Sequence, residues 1–471
     1  MKQYFTIVLS AAVALSSCDL LSPADVENPN VVVDDFVSSP DAMSTWVNGT
    51  NAELAVGVSA FVENLELLSD NYYNNYTRSS KTFDRPDISY RSVEVSKLST
   101  YVGKMVEMAA FGLDQVASHD AATTQAQRFN LLWVKAYGHL LGGENFVALP
   151  AEARGEVLAW DRLLLMSVSE LREALALATS AQDRAFVLTL MARAYHRLGD
   201  RQHAVAMAQD ALQASSDMVH YVTFDGVNGV VNSAHEYIGS YMFQPLPRLD
   251  FLDPKYPFSS YWEAPIAIAK SEECYLILAE AAASQGYLDE AATWLNLLLD
   301  LIAQRPTQIV LDNHDNRDNG GTMVHPNGAD FLVAASASDP LRPGLVRQHG
   351  TDDPDAAYRV STLSGTSVDA SMIQVATTSV PAMIELVYLM RQEVFFAEGR
   401  RASDLGFRLP LSEVEAALHS SLPDSYTLPV IPSYIPLNGE LDAFSIDEAS
   451  HTVIIRHNMN RVIPSVFSIT Q

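Results

Sequence analysis

The chain has 471 residues, 48% of them apolar, with 57 acidic against 30 basic side chains and a net charge of −27 at pH 7. That length and composition suit a large folded core and exclude a disordered chain or one with several membrane spans. The acidic excess argues against nucleic acid, whose binding rewards basic patches with released counterions, and it provides no electrostatic hold on anionic lipid.

Met1 and Lys2 form a short positive start, residues 4–15 are an apolar run too short to span a bilayer, and Leu15-Ser16-Ser17-Cys18 comes directly after it. This resembles a bacterial lipobox. Small residues at 16 and 17 admit a peptidase, and the Cys18 thiol is the nucleophile that takes a diacylglyceryl group. Residues 1–17 are then a lipoprotein signal peptide, and two or three acyl chains on Cys18 anchor the mature chain. Residues 18–40, rich in Pro, Asn, Asp and Ser, read as a tether and lead-in. The second cysteine, Cys274, falls on the apolar face of a helix as a buried thiol without a disulfide partner.

Helical periodicity begins near Ala42 and runs through Leu54, Val58, Phe61, Leu65 and Leu68. It stops at Asp70-Asn71-Tyr72-Tyr73-Asn74-Asn75-Tyr76, with Arg78, Lys81 and Arg85 beyond. Tyrosines among amides and charges suit sugar recognition, since a flat ring packs on the C–H face of a pyranose while Asn, Asp and Arg bond its hydroxyls. Tyr72, Tyr73, Asn75, Tyr76 and Arg85 are therefore candidate ligand-binding residues. The other reading is that these tyrosines simply pack between helices.

Residues 95–116 and 125–141 read as amphipathic helices, with Gly142-Gly143 expected to end the second. In residues 167–215, Ala192, Tyr195, Ala204 and Ala211 match the small and aromatic positions of a tetratricopeptide-type helix pair, with its turn at Gly199-Asp200. Residues 216–269 then interrupt with Tyr221, Tyr237, Tyr241, Phe243, Tyr256, Phe258, Tyr261 and Trp262 among Gly and Pro. Such a segment either caps a helical scaffold or lines a cleft, and Tyr261 and Trp262 are a candidate stacking pair.

Residues 271–300 form a second helix pair in the same register, turning at Gln285, Gly286 and Tyr287. Cys274, Ile277, Leu278 and Ala281 give its first helix one apolar face; Leu288, Ala291, Leu295, Leu298 and Leu299 do the same for the second. Ser271 is the expected N-cap, with Glu272 and Glu273 favoured in the first turn by the helix dipole. One pair cannot hide its own apolar stripe, so the pairs must stack on neighbours.

Residues 305–381 are a long insertion dense in Asp, Asn, Gly, Ser and Thr. Asp312, Asp315, Asn316 and Asp318 match no calcium-loop spacing, and turn chemistry accounts for them without a metal or cofactor. Residues 383–405 read as a helix with a broad buried face extending to Ala397. Glu393 and Glu398 are expected to hold Arg401 and Asp404 in a polar network at its end. Residues 412–471 are short apolar pieces with many prolines.

Two strings carry a family resemblance. EECYLILAEAAASQGYLDEAATWLN and RQEVFFAEGRRASDLG resemble the helical core and the C-terminal signature of the SusD/RagB family of bacterial surface lipoproteins, and Asn28-Pro29-Asn30 resembles the family's lead-in. Gln392, Val394 and Arg400 depart from the usual signature. The resemblance implies a mainly α, SusD-like single domain over residues 41–471, built on tetratricopeptide-type helix pairs with long irregular insertions. It implies a lipid anchor on the outer membrane facing the cell surface, and a SusC-like TonB-dependent transporter as partner. The helical face would dock on that transporter while the insertions close on an oligosaccharide, or else a peptide. Binding rather than catalysis would be the task. The alternatives are a lipid-anchored glycoside hydrolase, which needs two carboxylates facing each other across a sugar cleft, and a tetratricopeptide-type assembly scaffold.

Overall fold

The computed structural model describes residues 33–74, 81–239, 242–256, 259, 261–311, 325–349, 357–419 and 421–467. Cys18, Asn75, Tyr76 and the Asx-rich residues Asp312, Asp315, Asn316 and Asp318 lie outside them.

Helices dominate and stack in chain order. The long α1 (Ala42–Leu67) packs on α2 (Val93–Phe111), which packs on α3 (Gln125–Asn145). Next come the hairpin partner α4 (Trp160–Leu177) and the pair α5 (Ala181–Arg197) and α6 (Arg201–Ala214). A short α7 (Ser233–Ile238) covers α1. The pair α8 (Glu272–Ser284) and α9 (Leu288–Ile302) continues the stack and meets α10 (Val380–Val394) near the C-terminus. Both expected inter-helix turns are present: Gly199 has φ +74° and Gly286 has φ +80°, backbone values that favour glycine over any side chain.

Several details differ from expectation, each for a physical reason. Helix α8 buries more than one face: Cys274, Ile277 and Leu278 enter the main core, while Tyr275, Leu276 and Ala279 join a second cluster with α9 and α10. It lies between two layers, so both of these faces are covered. Ser271 makes no capping bond, because its Oγ donates instead to the Ser215 carbonyl at 3.1 Å. Gly142 and Gly143 do not end α3, which continues to Asn145. A Cβ on Gly143 would come within 2.6 Å of Leu164 Cγ, so that glycine serves the close approach of α4.

Helix α10 stops at Val394 rather than reaching Ala397. Two buried lysines take its terminal carbonyls: Lys270 Nζ donates to Val394 O and Lys255 Nζ to Phe396 O, both at 2.7 Å. Cations at a helix C-terminus satisfy orphan carbonyls and the dipole together. The next turn, with Ala397 at φ 59°, delivers Glu398 to the same two lysines, each 2.6 Å away. The expected network therefore exists with other partners. Arg401 grips Asp70, Asp404 is held by Arg391 and Arg197, and Glu393 is bonded by Thr366 and Ser367.

Small sheets tie the insertions to this frame. The strand β1 (Tyr72–Asn74) pairs antiparallel with β3 (Phe243–Pro245), and β2 (Val219–Val222) pairs with β4 (Ile266–Lys270). Near the C-terminus β6 (Phe444–Asp447) and β7 (Thr452–Ile455) form a hairpin whose second strand runs parallel to β5 (Leu332–Ala334). A final helix, α11 (Met459–Phe467), packs on α10. The tail reading anticipated no such helix, since Pro464 interrupts its period. Among the described residues no helix is long and apolar enough to cross a membrane.

Candidate functional site

The tyrosine run and the aromatic insertion meet beside α1. Pairing of Tyr72 with Pro245 and of Asn74 with Phe243 joins β1 to β3, while α7 packs on α1 just ahead of β3. Within this junction the candidates part company. Tyr72 is fully buried, its ring stacked 4.7 Å from Phe396 and its hydroxyl donating to Asp253 Oδ1 at 2.6 Å. Tyr73 is buried too, between His325 and Phe444. Neither ring presents a face to a ligand, which corrects the sugar-stacking expectation for both. A strand turns successive side chains to opposite sides, and here both sides are covered.

Arg85 is exposed on the stretch leading to Tyr90. Tyr261 is 54% exposed, and Trp262 is half-buried with its ring edge-on to His235 at 5.4 Å. Their turn is held firmly. Asn232 N–H donates to Trp262 O at 2.7 Å and Asn232 Nδ2 to Ala264 O at 2.8 Å, while a Cβ on Gly226 would meet Tyr261 O at 1.6 Å. Only glycine lets the loop at 225–232 lie this close. That loop closes on itself through Asp225, whose Oδ1 accepts from Asn228 and Val227 N–H, both at 3.0 Å. Those backbone donors hold the Asp225 carboxyl below its ordinary value.

The same loop forms one wall of an open cleft of about 500 Å³. Its floor comes from two helices. Ser59, Glu63 and Asn64 project from α1, and Glu94, Lys97 and Tyr101 from α2 at the spacing of one helix face. Ser233 Oγ, at the start of α7, reaches Ser59 Oγ at 3.3 Å and ties the loop wall to the floor. A second groove of about 390 Å³ shares Lys97 and Tyr101 and continues past Tyr90 and Arg91 to Glu413. Arg91 lies 5.2 Å over the Tyr90 ring and 3.2 Å from Glu413 Oε1. The two grooves thus present aromatic faces among amides, hydroxyls and charges of both signs, which is what a polyhydroxylated ligand requires.

Sequence reasoning missed the floor: Glu63, Asn64, Lys97 and Tyr101 lie within two expected helices and nothing in the sequence singles them out. Tyr101, three residues after Leu98 and four before Met105, falls at the edge of the apolar stripe and packs on the core, so no local signal marks it as a binding residue. Among the described residues no group of His, Cys, Asp and Glu could hold a metal. Cys274 is buried, and burial pushes its thiol up to about 12 despite the Thr189 hydroxyl 3.4 Å away, so it is inert at neutral pH.

Neither a family model nor a curated protein matches the sequence. Solved structures do. A SusD superfamily protein of Bacteroides fragilis aligns with 83% of this chain and all of its own length, at 13% identity and a TM-score of 0.55. The chain has the SusD fold. A SusD-like carbohydrate binding protein of Bacteroides vulgatus aligns with 77% of this chain and 82% of its own at 14% identity and a TM-score of 0.50. Another SusD superfamily protein of that organism covers 81% and 97% at 11% identity, also with a TM-score of 0.50. The SusD-like frame here is the helical stack, and the cleft lies between α1, α2 and one loop of the 216–269 insertion.

Proposed function

We propose that this SusD-like protein binds a nutrient, an oligosaccharide before a peptide, in the cleft between α1, α2 and the loop at 225–233. The observation that carries this reading is the cleft's lining: Tyr101 supplies an apolar ring while Lys97, Glu63 and Glu94 supply donors and acceptors, and the exposed Tyr261 stands outside the lining on the segment that packs against the loop wall. Sugars need both at once. The fold shared with a carbohydrate binding protein supports the same reading.

In this proposal Cys18 carries the lipid anchor, the protein stands on the outer membrane facing outward, and a SusC-like TonB-dependent transporter receives the ligand. Tyr90 and Arg91 extend the binding surface along the second groove, and Arg85 remains a candidate on the exposed stretch that leads to it. Asn75 and Tyr76 remain candidates that adjoin β1. The function is capture and hand-over rather than bond breaking.

A glycan and peptide array on the lipid-free protein tests this. Tyr101→Ala should weaken the bound class about tenfold, the equivalent of one stacking contact. Unchanged affinity in this variant refutes the site. Cys18→Ala should release the protein from membranes, and pull-down of the acylated form should recover an outer-membrane β-barrel.

One observation favours a second reading, since Glu63 and Glu94 line the same cleft and a hydrolase needs two carboxylates. Recovery of shortened glycan chains after incubation would establish it; recovery of intact ligand supports binding alone.

A further inference from the structure

A different cavity, of about 160 Å³, lies between α10, α11 and the segment around β5. It is distinct from the cleft and shares no lining residue with it. Arg248 is 6% exposed and lines this cavity. Among the described residues its guanidinium makes no hydrogen bond; the nearest carboxylate oxygen is Glu393 Oε1 at 3.7 Å. That partner is already engaged, because Glu393 accepts from Thr366 Oγ1, Ser367 N–H and Ser367 Oγ, each at 2.7 Å. A guanidinium with five donors, largely withdrawn from water and given no protein acceptor, is costly. Burial accordingly pulls the Arg248 guanidinium below its ordinary value. Arg342, held on Ser367 O at 2.8 Å, adds a second guanidinium to the same wall.

The opposite need appears at Asn458 and Asn460. Both line the cavity and are buried, and each has an Oδ1 without a donor. Their amide orientations are set by their neighbours. Asn458 Nδ2 donates to Glu385 Oε1 at 3.0 Å and to Asp339 Oδ2 at 3.3 Å, which only an N–H can do. Asn460 Nδ2 donates to Gln392 Oε1 at 2.8 Å, and Gln392 is itself oriented by giving its Nε2 to the Asp70 carbonyl. Neither Asn can therefore be turned round, and both oxygens await a donor.

We infer that this cavity binds a free α-amino acid with a modest apolar side chain. The carboxylate meets Arg248 and Arg342 in the forked geometry that guanidinium favours. The ammonium lies toward the Oδ1 atoms of Asn458 and Asn460, beside Asp339 and Glu385, two carboxylates that share the single guanidinium of Arg461. Val333, Leu345, Met372 and Leu389 supply the apolar wall, and the volume is close to that of a cavity that takes a benzene ring, about 150 Å³.

The test is calorimetric titration of the full chain with four probes: L-leucine, 4-methylpentanoate without the amine, 3-methylbutylamine without the carboxylate, and inorganic phosphate. L-leucine should bind saturably, and each truncated analogue should bind at least about tenfold more weakly, because it leaves a buried group unpaired. Arg248→Met should abolish L-leucine binding; because it also takes the counter-ion from buried Glu393, 3.7 Å away, binding is measured well below the variant's own melting temperature. Leu389→Trp, which fills the cavity from its apolar side, should also abolish binding and serves if the first variant does not fold. Absence of saturable L-leucine binding overturns the inference. So does equal binding of either truncated analogue, displacement by phosphate, or L-leucine affinity unchanged in these variants. Tyr101→Ala leaves this site intact, so its fate is separable from that of the cleft.

Discussion

Glu144, at the C-terminal end of α3, offers a direct test of how the helical stack is locked. Its side chain is buried, and Arg193 grips it with two nitrogens, Nε at 2.7 Å from Oε1 and Nη2 against Oε2; Arg197 Nε adds a contact at 3.2 Å. Burial by itself would raise this carboxyl, but Arg193, and Arg197 after it, bring it down from 4.5 to about 2. A carboxyl depressed in this way contributes about 3 kcal/mol of stability at neutral pH. The contribution is complete above 4.5, where the unfolded chain is ionised, and is lost as pH falls from 4.5 through 2, where the folded carboxyl protonates. Glu144→Gln keeps the shape and removes the charge, leaving buried Arg193 without its carboxylate and Arg197 with Asp404 alone. The variant should be about 3 kcal/mol less stable than the parent at pH 7 in urea unfolding monitored by circular dichroism. The gap should narrow steadily below pH 4.5 at constant ionic strength. A gap under about 0.5 kcal/mol at pH 7, or one that does not change with pH, would refute the account. Replacing the pair together, as Glu144→Leu with Arg193→Met, should recover much of the loss, because no charge is then stranded.

Two further outcomes rest on local geometry. Tyr72→Phe removes the hydroxyl that donates to Asp253 and should lower stability by about 1–3 kcal/mol while leaving glycan affinity unchanged; weaker binding at constant stability would restore Tyr72 to the ligand site. Gly286→Ala should cost about 1–2 kcal/mol although its Cβ would touch nothing within 4 Å, because the penalty lies in the φ of +80° alone; an unchanged melting temperature would show that the turn relaxes.

The helical frame was legible because its signals are local. Ala192, Tyr195 and Ala204 around Gly199, and the matching residues around Gly286, announce helix pairs through period and turn chemistry, and both turns stand where expected. The candidate site was legible only in part. Tyr261 is exposed but does not line the cleft, whereas Tyr72 and Tyr73, candidates in the sequence, are core. Their polar neighbours were misleading: Asp70 is the buried counter-ion of Arg401, and the Asn71 amide donates to Glu66 at 2.8 Å. Polar residues flanking an aromatic look the same in sequence whether they face a sugar or an internal ion pair 331 residues away.

What the amino-acid order determined alone was the fold class, the two matched helix pairs, the burial of Cys274 and the separation of frame from insertions, all consequences of short-range periodicity and backbone preference. The tertiary structure decided which charges pair, where α10 stops, and that Glu63, Asn64, Lys97 and Tyr101 share a cleft. Those outcomes depend on burial by segments distant in the chain, which converts a polar side chain from a solvated face into a bonded one. Asp404 sits in a recognisable string, but only its approach to Arg391 and Arg197 holds its carboxyl far below the usual range.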